Sequence, residues 1–496
     1  MENYFDKLYL FGKRFPLRSF FLLSGFLFMI LFSLFHLTTQ PRLWLDEAKN
    51  IEIAQSFNTS GKFDMELSLG HFSEVPHLLQ STGYPVTIPL ALTFRIFGFG
   101  LVQARLFMLA WMIVAMLVSF ILLKKIIGFR SAVFSILLIV TFASFYDNGR
   151  PMMGEIPGFL FLVSGLYYWL CRQSPWIAGG FFSLAVVSKP SVYLLIIPTL
   201  FFVLIFRGQR IKNLMVFFAS MLPAALGWIF LVMSQPFSKL AWFQIIDMYG
   251  NPYNAIPIMQ NILNNIISIP RTLTIVYFGI FFILLLLVRI GFRKENYNLS
   301  LVYDFVLIYS LFAFLYYLRS PGWLRYTIVS ELLILAILPN ALEIILLYFS
   351  RKFKNARIFK GEIVWYASLV FLVVFQIFHL FNGAKIYFSD SDIMTAKYIE
   401  DKYFMETVGY VDALNLAIFK DRKLRFMTIE GSVVPILKSN NTFKNVSLYS
   451  LAVLPEVLVL KKDIVTSFAD ANVLNDNYKV DTVMNGYAIY VKSKIE

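Results

Sequence analysis

Residues 43–48 read LWLDEA and directly follow an almost charge-free apolar segment, residues 19–37. That segment is long enough to cross a bilayer, so the motif is predicted to lie just outside a first membrane span. Its two carboxylates, Asp46 and Glu47, are costly near lipid unless they are solvated or paired with cations. This acidic pair at the membrane face is therefore the first candidate for a functional site.

The composition of the chain is that of a polytopic α-helical membrane protein. Of its 496 residues, 58% are hydrophobic and 15% are charged, whereas soluble proteins average roughly 25% charged residues. Apolar segments recur along the first three quarters of the sequence. We predict about eleven helical spans, at residues 19–38, 104–123, 131–147, 153–171, 175–188, 190–206, 213–233, 272–288, 301–318, 327–349 and 363–381.

Basic residues set the predicted orientation of these spans. The net charge is +14, from 44 Lys and Arg against 30 Asp and Glu, and the basic clusters fall on one side of the predicted zigzag. Such clusters remain in the cytoplasm, which predicts a cytoplasmic N-terminus, most simply in a plasma membrane. No small-residue cleavage site follows the first apolar segment, so we interpret it as a retained span. The shorter run Tyr84–Phe97 is predicted to form an interfacial helix on the outer face.

The composition changes after about Gly383, where charged residues return. Alternating runs at residues 457–460 and 487–491 predict strands, and residues 392–402 have a helical pattern. We therefore predict a transmembrane domain at residues 1–383 and a small extracytoplasmic soluble α/β domain at residues 384–496. The only cysteine allows no disulfide within one chain.

Carboxylates and cations occur together on the predicted outer face, several of them at the ends of spans. A carboxylate can accept a proton from a nucleophile, and Arg and Lys stabilise the oxygens of a departing phosphate. The sequence contains no glycine-rich phosphate loop and no dinucleotide motif. The pattern favours a reaction with a phosphate leaving group, and nothing in the sequence resembles a nucleotide site.

Five short motifs follow one another on the same predicted side of the membrane. They are WLDEA at 44–48, YP at 84–85 with ARL at 104–106, GRP at 149–151 with Glu155, VSKP at 187–190, and RY at 325–326. In this order they resemble membrane glycosyltransferases of the GT-C fold, with the protein O-mannosyltransferase and aminoarabinose-transferase branch as the nearer group. The resemblance covers about residues 1–380. It departs at Ser188, where threonine is usual, and at Glu155, where aspartate is common and Asp147 competes for the role.

The resemblance implies an inverting glycosyltransferase that moves a sugar from a polyprenyl-phosphate lipid to an acceptor hydroxyl at the outer face. The sugar, a hexose or a pentose, and the acceptor, a protein, lipid or glycan, stay open, and no nucleic-acid partner is implied. Asp46 would be the base, with Glu47 beside it in the catalytic motif, and Glu155 would orient the sugar or the acceptor. The implied substrate-binding residues are Tyr84, Arg150, Lys189, Arg319, Arg325 and Tyr326.

Simpler interpretations of the same residues stay open. Asp46 and Glu47 could be the first turn of an interfacial helix, where acidic residues complement the helix dipole. Lys189 could be part of a plain turn, and Arg325 could anchor a span in the headgroups. No cofactor is predicted. His71, Glu74 and His77 leave a divalent metal open.

Two other function classes compete with a transferase. A transporter or lipid flippase would place charged residues near the bilayer midplane, and Glu331 keeps that alternative open. A non-catalytic assembly factor would use the C-terminal domain to bind a partner. A transferase requires Asp46, Glu155, Lys189 and Arg325 to converge in one outward-facing cavity, and this requirement separates the classes.

Overall fold

Most of the described chain is helical. The structure, a computed structural model, describes residues 17–68, 70–73, 81–207, 211–232, 258–291, 297–320, 322–352, 361–382, 389–411, 413–419, 425–428, 454–462 and 471–493. The helices before residue 383 are α1 Leu17–Leu34, α2 Leu45–Ser60, α3 Tyr84–Phe97, α4 Leu101–Ile126, α5 Gly128–Val140, α6 Ala143–Gly149, α7 Glu155–Arg172, α8 Pro175–Ser188, α9 Pro190–Tyr193, α10 Ile196–Phe206, α11 Ile211–Val232, α12 Ile258–Ser268, α13 Leu273–Gly291, α14 Tyr297–Arg319, α15 Ile328–Lys352 and α16 Gly361–Asn382. Short 3₁₀ helices follow at Ile269–Arg271 and Leu324–Tyr326, and a small hairpin pairs β1 Glu66–Ser68 with β2 His71–Phe72.

Helices occupy every region predicted for a span, so the polytopic helical fold is confirmed. Among the described residues, six helices are long and apolar enough to cross a membrane. A seventh is counted if α5 and α6, bent by 67° at the break between them, form one broken span. The number eleven therefore stays a prediction. The helix predicted at Tyr84–Phe97 has those bounds in the structure.

The helices of the membrane domain pack in a continuous apolar core. The α7–α8 hairpin lies between α4 and α11, and α15 packs against α5 and α16. These contacts bring together the ends of helices that are far apart in sequence. The C-terminal end of α8, the start of α7 and the 3₁₀ turn before α15 all belong to this region, and they carry the candidate residues.

Helix α2, which begins in the LWLDEA motif, buries charged and polar side chains as well as apolar ones, whereas an interfacial helix buries mainly its apolar face. Its first turn contains Asp46 and Glu47, whose charge complements the positive end of the helix dipole. Gly61 ends the helix with φ 70° and donates its N–H to the carbonyl of Phe57. The buried side chains of α2 include Glu47, Lys49, Asn50 and Glu52. A helix that buries charges on this scale is built for specific polar contacts.

The C-terminal part is a small α/β unit, as predicted. Its described elements are α17 Asp390–Lys402, β3 Val408–Val411, α18 Leu414–Ile418, β4 Arg425–Thr428, β5 Val457–Lys461, α19 Ala471–Asn477, β6 Tyr478–Met484 and β7 Tyr487–Lys492. The strands form one mixed sheet in the order β4-β3-β5-β7-β6, with β3 parallel to β4 and β5. The strands predicted at 457–460 and 487–491 correspond to β5 and β7. The domain boundary at 383 and the side of the membrane stay predictions.

The C-terminal unit holds the chain just before the acidic motif. Arg42 donates two hydrogen bonds, of 2.7 and 2.9 Å, to the buried carboxylate of Asp392 on α17. The N–H of Leu43 donates to the hydroxyl of Ser389 at 2.8 Å, and the N–H of Ser389 donates back to the carbonyl of Thr39 at 2.8 Å. These contacts brace the entry to α2, and they fix the direction in which its first turn points.

Candidate active site

The two adjacent carboxylates of α2 point to different partners. Successive residues of an α-helix are about 100° apart around its axis, so Asp46 and Glu47 cannot share one environment. Asp46 accepts a hydrogen bond from Nη1 of Arg325 at 2.9 Å. Glu47 accepts two hydrogen bonds from Arg105, at 3.0 and 2.9 Å. The acidic motif therefore divides into two ion pairs.

The Asp46–Arg325 pair is partly open to the outside. The Asp46 side chain is 24% exposed and that of Arg325 is 14% exposed. Burial alone would raise the pKa of the Asp46 carboxyl, but the positive charges of Arg325, Lys49 and Lys189 outweigh burial and lower the pKa to about 2. Asp46 is therefore an accessible carboxylate that stays ionised across the physiological range.

Aromatic rings surround the guanidinium of Arg325. The carbon Cζ of Arg325 lies 5.1 Å from the ring centre of Trp44, 4.5 Å from that of Trp323 and 5.5 Å from that of Tyr326. Cation–π contacts of this kind hold a guanidinium in place while its N–H groups still reach other acceptors. The atom Nε of Arg325 is buried and has no hydrogen-bond partner among the described residues.

A second ion pair joins α7 to the turn after α8. The atom Nζ of Lys189 lies 3.6 Å from Oε1 of Glu155, and both side chains are almost fully buried. Neither carboxylate oxygen of Glu155 has a hydrogen-bond partner within the described part of the chain. The hydroxyl of Tyr193 donates to the main-chain carbonyl of Glu155 and fixes the start of α7. A buried carboxylate with free acceptor capacity is suited to bind a hydroxyl or an amine.

The two ion pairs belong to one cluster. Lys189 acts through space on the carboxylate of Asp46, and Glu155 acts on the guanidinium of Arg325. Asp46, Glu155, Lys189 and Arg325 therefore lie within electrostatic reach of one another, although they come from four separate parts of the sequence. These are the four residues that a transferase requires to converge, and the outward-facing cavity that it also requires stays a prediction.

Glu47 lies in the buried framework around this cluster, and its predicted catalytic role stays a prediction. Both side chains of the Glu47–Arg105 pair are completely buried. Arg105 also donates to the carbonyls of Leu37 and Pro41, each at 2.8 Å, and the N–H of Met152 donates to Glu47 at 3.2 Å. The carboxylate is enclosed on every side by the protein's own donors, so it ties α2 and α4 to the loops around the site.

Two glycines, Gly83 and Gly154, let their backbone segments lie close against the turn that carries Lys189. A Cβ on Gly83 would lie 1.9 Å from the carbonyl oxygen of Val187, and one on Gly154 would lie 2.0 Å from that of Ser188. The N–H of Gly83 donates to the carbonyl of Ser188 at 3.1 Å. Gly154 has φ −86°, which any residue can adopt, so the lack of a side chain is what the site requires. The backbone segments at residues 83 and 154 thereby hold Lys189 beside Glu155.

Tyr326 joins Lys189 and Arg325 in this cluster, whereas Tyr84, Arg150 and Arg319 make no described contact with it. Tyr326 is buried beside Arg325 and packs against Trp323 and Tyr316. The hydroxyl of Tyr84 donates to the carbonyl of Ala224 on α11 at 3.4 Å.

Arg150 and Arg319 also stand apart. Arg150 is buried beside the rings of Phe32 and Tyr146, and it donates to the carbonyl of Gln40 at 3.1 Å. Arg319 ends α14 and makes no ion pair with any described residue.

The sequence interpretation missed two residues of the cluster and left a third without a role. Lys49 lies one helical turn after Asp46, and the i to i+3 spacing on a helix would have indicated it. Trp323 stacks on Arg325, and its position two residues before the Arg-Tyr motif is the only signal in the sequence. Arg105 was noted within a motif, but its pairing with Glu47 depends on tertiary packing, in which α3 contacts both α2 and α4.

The predicted metal possibility falls largely outside the described residues. Glu74 and His77 lie outside them, and the side chain of His71 is not described. Within the described ranges, no group of three His, Cys, Asp or Glu side chains could hold a metal ion.

Comparison with known proteins identifies the fold. A family model described as dolichyl-phosphate-mannose-protein mannosyltransferase matches residues 86–236, which include Arg105, Glu155 and Lys189. Among curated proteins, no sequence is significantly similar to the chain.

Solved structures of similar architecture cover nearly the whole chain. The crystal structure of ArnT from Cupriavidus metallidurans bound to undecaprenyl phosphate has a TM-score of 0.63 at 13% identity, and the match covers 96% of this chain and 98% of that one. The apo oligosaccharyltransferase of Archaeoglobus fulgidus has a TM-score of 0.56 at 13% identity, covering 98% of this chain and 75% of that one. The resemblance to GT-C membrane glycosyltransferases is thereby confirmed at the level of the fold, and the chain is a multi-pass membrane protein of that architecture.

Proposed function

We propose that the chain is a membrane glycosyltransferase that moves a sugar from a polyprenyl-phosphate lipid to an acceptor hydroxyl, with inversion at the sugar carbon. The observation that carries the proposal is the convergence of Asp46, Glu155, Lys189 and Arg325 in one cluster. The undecaprenyl phosphate in the similar ArnT structure and the lipid-linked mannose in the family description support a donor of this class.

The distribution of charge supports an extracytoplasmic site. Helix α4 begins near Arg105, beside the cluster, and carries Lys124 and Lys125 in its last turn. Asp304 lies near the N-terminal end of α14, and Arg319 lies at the C-terminal end. Asp304 forms ion pairs with Arg207 and Arg289. Basic residues mark the cytoplasmic ends of spans, so the cluster lies at the other, outer ends of the same helices. The plasma membrane and a cytoplasmic N-terminus belong to this proposal.

Arg325 and Lys189 are the groups that we assign to the lipid phosphate. A guanidinium binds phosphate oxygens with directed hydrogen bonds, and a lysine adds a compact positive charge. Arg325 reaches Asp46 through Nη1, which leaves Nε for a further acceptor. Arg325 can therefore hold the leaving phosphate beside Asp46, the carboxylate that accepts the proton of the acceptor hydroxyl.

The chemistry is a single displacement. The oxygen of the acceptor hydroxyl forms a bond to the anomeric carbon of the sugar, and the bond from that carbon to the phosphate oxygen breaks. The bonding electron pair leaves with the phosphate, where Arg325 and Lys189 stabilise the new charge. The hydroxyl proton moves towards the Asp46 carboxylate. Glu155, with its free acceptor oxygens, would orient a hydroxyl or an amine of the donor sugar or the acceptor.

The position of Lys189 is expected to depend on the absence of a side chain at residue 154. In Gly154→Ala, the new Cβ must move away from the carbonyl of Ser188, which displaces the turn that carries Lys189. A shift of about 1 Å can cost on the order of 100-fold in rate, so we expect sugar transfer to fall by about 10- to 100-fold. The measurement is transfer from a radiolabelled lipid-linked donor by purified protein.

Gly180→Ala provides the matched control for that variant. Gly180 lies on α8, the helix that leads to Lys189, and a Cβ there meets no atom within 4 Å. This control should keep full activity. Wild-type activity in Gly154→Ala would contradict the assigned role of the Lys189 turn.

Asp46 is expected to stay active at unusually low pH. Because cations lower the pKa of its carboxyl to about 2, protonation removes the acceptor form only as the pH falls towards that value. Between pH 8 and about pH 4, we expect no fall in the kcat/KM of transfer caused by protonation of Asp46. The measurement is a pH profile of wild type and of Arg325→Gln, whose acid limb should move to higher pH. An identical acid limb in the two proteins would contradict the proposed coupling.

A donor panel tests the function itself. Purified full-length protein in detergent would be incubated with radiolabelled polyprenyl-phosphate sugars, beginning with mannose, together with membrane extracts as the source of acceptors. We expect one donor to be consumed and its label to appear in an acceptor fraction. Binding of every donor without consumption, or ATP- or gradient-driven movement of a lipid across vesicles, would instead support the transporter or flippase alternative.

A further inference from the structure

Helix α12 is attached to the protein in an uncommon way. Its only buried residue is a polar one, Asn265, whereas the apolar residues Met259, Leu263 and Ile267 are exposed. In a membrane protein such exposed apolar residues can face lipid, and α12 packs against α14. The polar contact that α12 buries there is made by the amide of Asn265.

The amide of Asn265 binds the end of α14. Its nitrogen Nδ2 lies 3.2 Å from the carbonyl oxygen of Tyr317, 2.9 Å from that of Leu318 and 2.7 Å from that of Ser320. The last carbonyls of an α-helix have no partner within the helix. A buried side-chain amide that satisfies them fixes the point at which the chain leaves α14.

The other atom of the same amide faces the connection that carries Arg325. Gly322 has φ +80°, and a Cβ built on it would lie 2.9 Å from Oδ1 of Asn265. Trp323 follows directly and stacks on the guanidinium of Arg325. The 3₁₀ turn Leu324–Tyr326 then presents Arg325 to Asp46. Asn265 thus binds the chain where the segment leaves α14. The other end of the segment is held by the ion pair between Arg325 and Asp46.

We propose that Asn265 is a positioning residue for Arg325, acting through the connection between α14 and the 3₁₀ turn; this inference rests on the proposed function, in which Arg325 holds the donor phosphate. Asn265 touches neither substrate nor base. Its contribution is to set where the guanidinium lies, so its loss should weaken the binding of a polyprenyl phosphate.

The experiment measures the affinity of the purified full chain for undecaprenyl phosphate in detergent. Substitutions along a coupled network change such affinities by roughly 3- to 30-fold, and we expect Asn265→Ala to weaken binding by a factor in that range. Asn264→Ala is the matched control, because Asn264 is the neighbouring, exposed asparagine of the same helix. It should bind like wild type.

A double-mutant cycle distinguishes positioning from general support of the fold. If Asn265 acts through Arg325, then Asn265→Ala should have no further effect in an Arg325→Ala background. Equal weakening in both backgrounds, or wild-type affinity in Asn265→Ala, overturns the proposal. If Asn265→Ala does not fold, Gly322→Ala disturbs the same contact from the other side and should give the same loss.

Failure of the proposed function has a different signature. If wild type does not bind undecaprenyl phosphate, or if Arg325→Ala binds it as well as wild type does, then the phosphate site itself is wrong and the inference falls with it. If Arg325→Ala loses binding and Asn265→Ala keeps it, only the positioning role is overturned.

Discussion

Asp46→Asn is expected to lower sugar transfer by about 10²- to 10⁴-fold in a protein that still folds. The asparagine has the same shape as the aspartate, but it cannot take the proton of the acceptor hydroxyl. Arg325 keeps its aromatic neighbours Trp44, Trp323 and Tyr326, so the phosphate site should remain. The measurement is transfer from the consumed donor, together with the affinity for undecaprenyl phosphate.

The two readouts separate the possible roles of Asp46. Loss of transfer with retained phosphate binding supports a base, whereas loss of both would mean that Asp46 mainly holds Arg325 in place. Asp390→Asn is the matched control, since Asp390 is an exposed aspartate in the first turn of α17, and it should behave like wild type. Unchanged transfer in Asp46→Asn would show that another group accepts the proton.

Arg105→Ala is expected to destabilise the protein by about 3–5 kcal/mol, because it leaves the carboxylate of Glu47 buried without its cation. The same change also removes the donors to the carbonyls of Leu37 and Pro41. These groups surround the entry to α2. We therefore expect a large fall in the Tm of the detergent-solubilised protein, with loss of the monodisperse peak on size exclusion.

The exposed ion pair between Arg130 and Glu362 provides the comparison. The Glu362 side chain is 64% exposed, and surface pairs contribute only about 0–1 kcal/mol, so Glu362→Gln should barely change the Tm. Glu47→Gln tests the framework role directly. It should lower the Tm, with transfer falling only as folded protein is lost. A Tm equal to that of wild type combined with abolished transfer would return Glu47 to the catalytic residues.

The two carboxylates of the motif show how neighbours in sequence acquire different roles. Asp46 is accessible and paired with a cation that keeps an unused donor. Glu47 is completely buried and surrounded by donors from the protein. A buried charge must be fully satisfied to be tolerated, and a group that is fully satisfied has no capacity left for a substrate.

The C-terminal unit contributes to the site through the same motif. Its residues Ser389 and Asp392 bind the chain at Leu43 and Arg42, directly before α2 begins. The C-terminal unit could bind an acceptor or brace the membrane domain. These contacts favour bracing, while a role in acceptor binding stays open to the donor and acceptor assays.

Local features of the sequence were sufficient to predict the fold class correctly. They also gave a prediction of the side of the membrane on which the site lies. The length of an apolar run and the position of lysines and arginines are properties of contiguous residues, and the bilayer selects on both. The helix at Tyr84–Phe97, the strands near residues 457 and 487 and the order of the five motifs could all be read in this way.

The membership of the site could be read only in part. Asp46, Glu155, Lys189, Arg325 and Tyr326 were predicted and lie together in the structure. Tyr84 was predicted to join them, but its hydroxyl turns to α11. Arg150 is enclosed by aromatic rings. A charged side chain at the end of a span can be stabilised by water, lipid headgroups, aromatic rings or other charges. The residues around it in the sequence do not determine which of these it meets.

The sequence by itself determined that the chain is a polytopic helical membrane protein with a small α/β unit, and it predicted that an acidic motif and several cations share one face. The tertiary structure alone decided which charges pair. Asp46 meets Arg325 across 279 residues, and Glu47 meets Arg105 across 58 residues, where α3 packs against both α2 and α4. The physical reason is that hydropathy and net charge act on each segment separately, whereas an ion pair depends on the packing of helices that are distant in sequence.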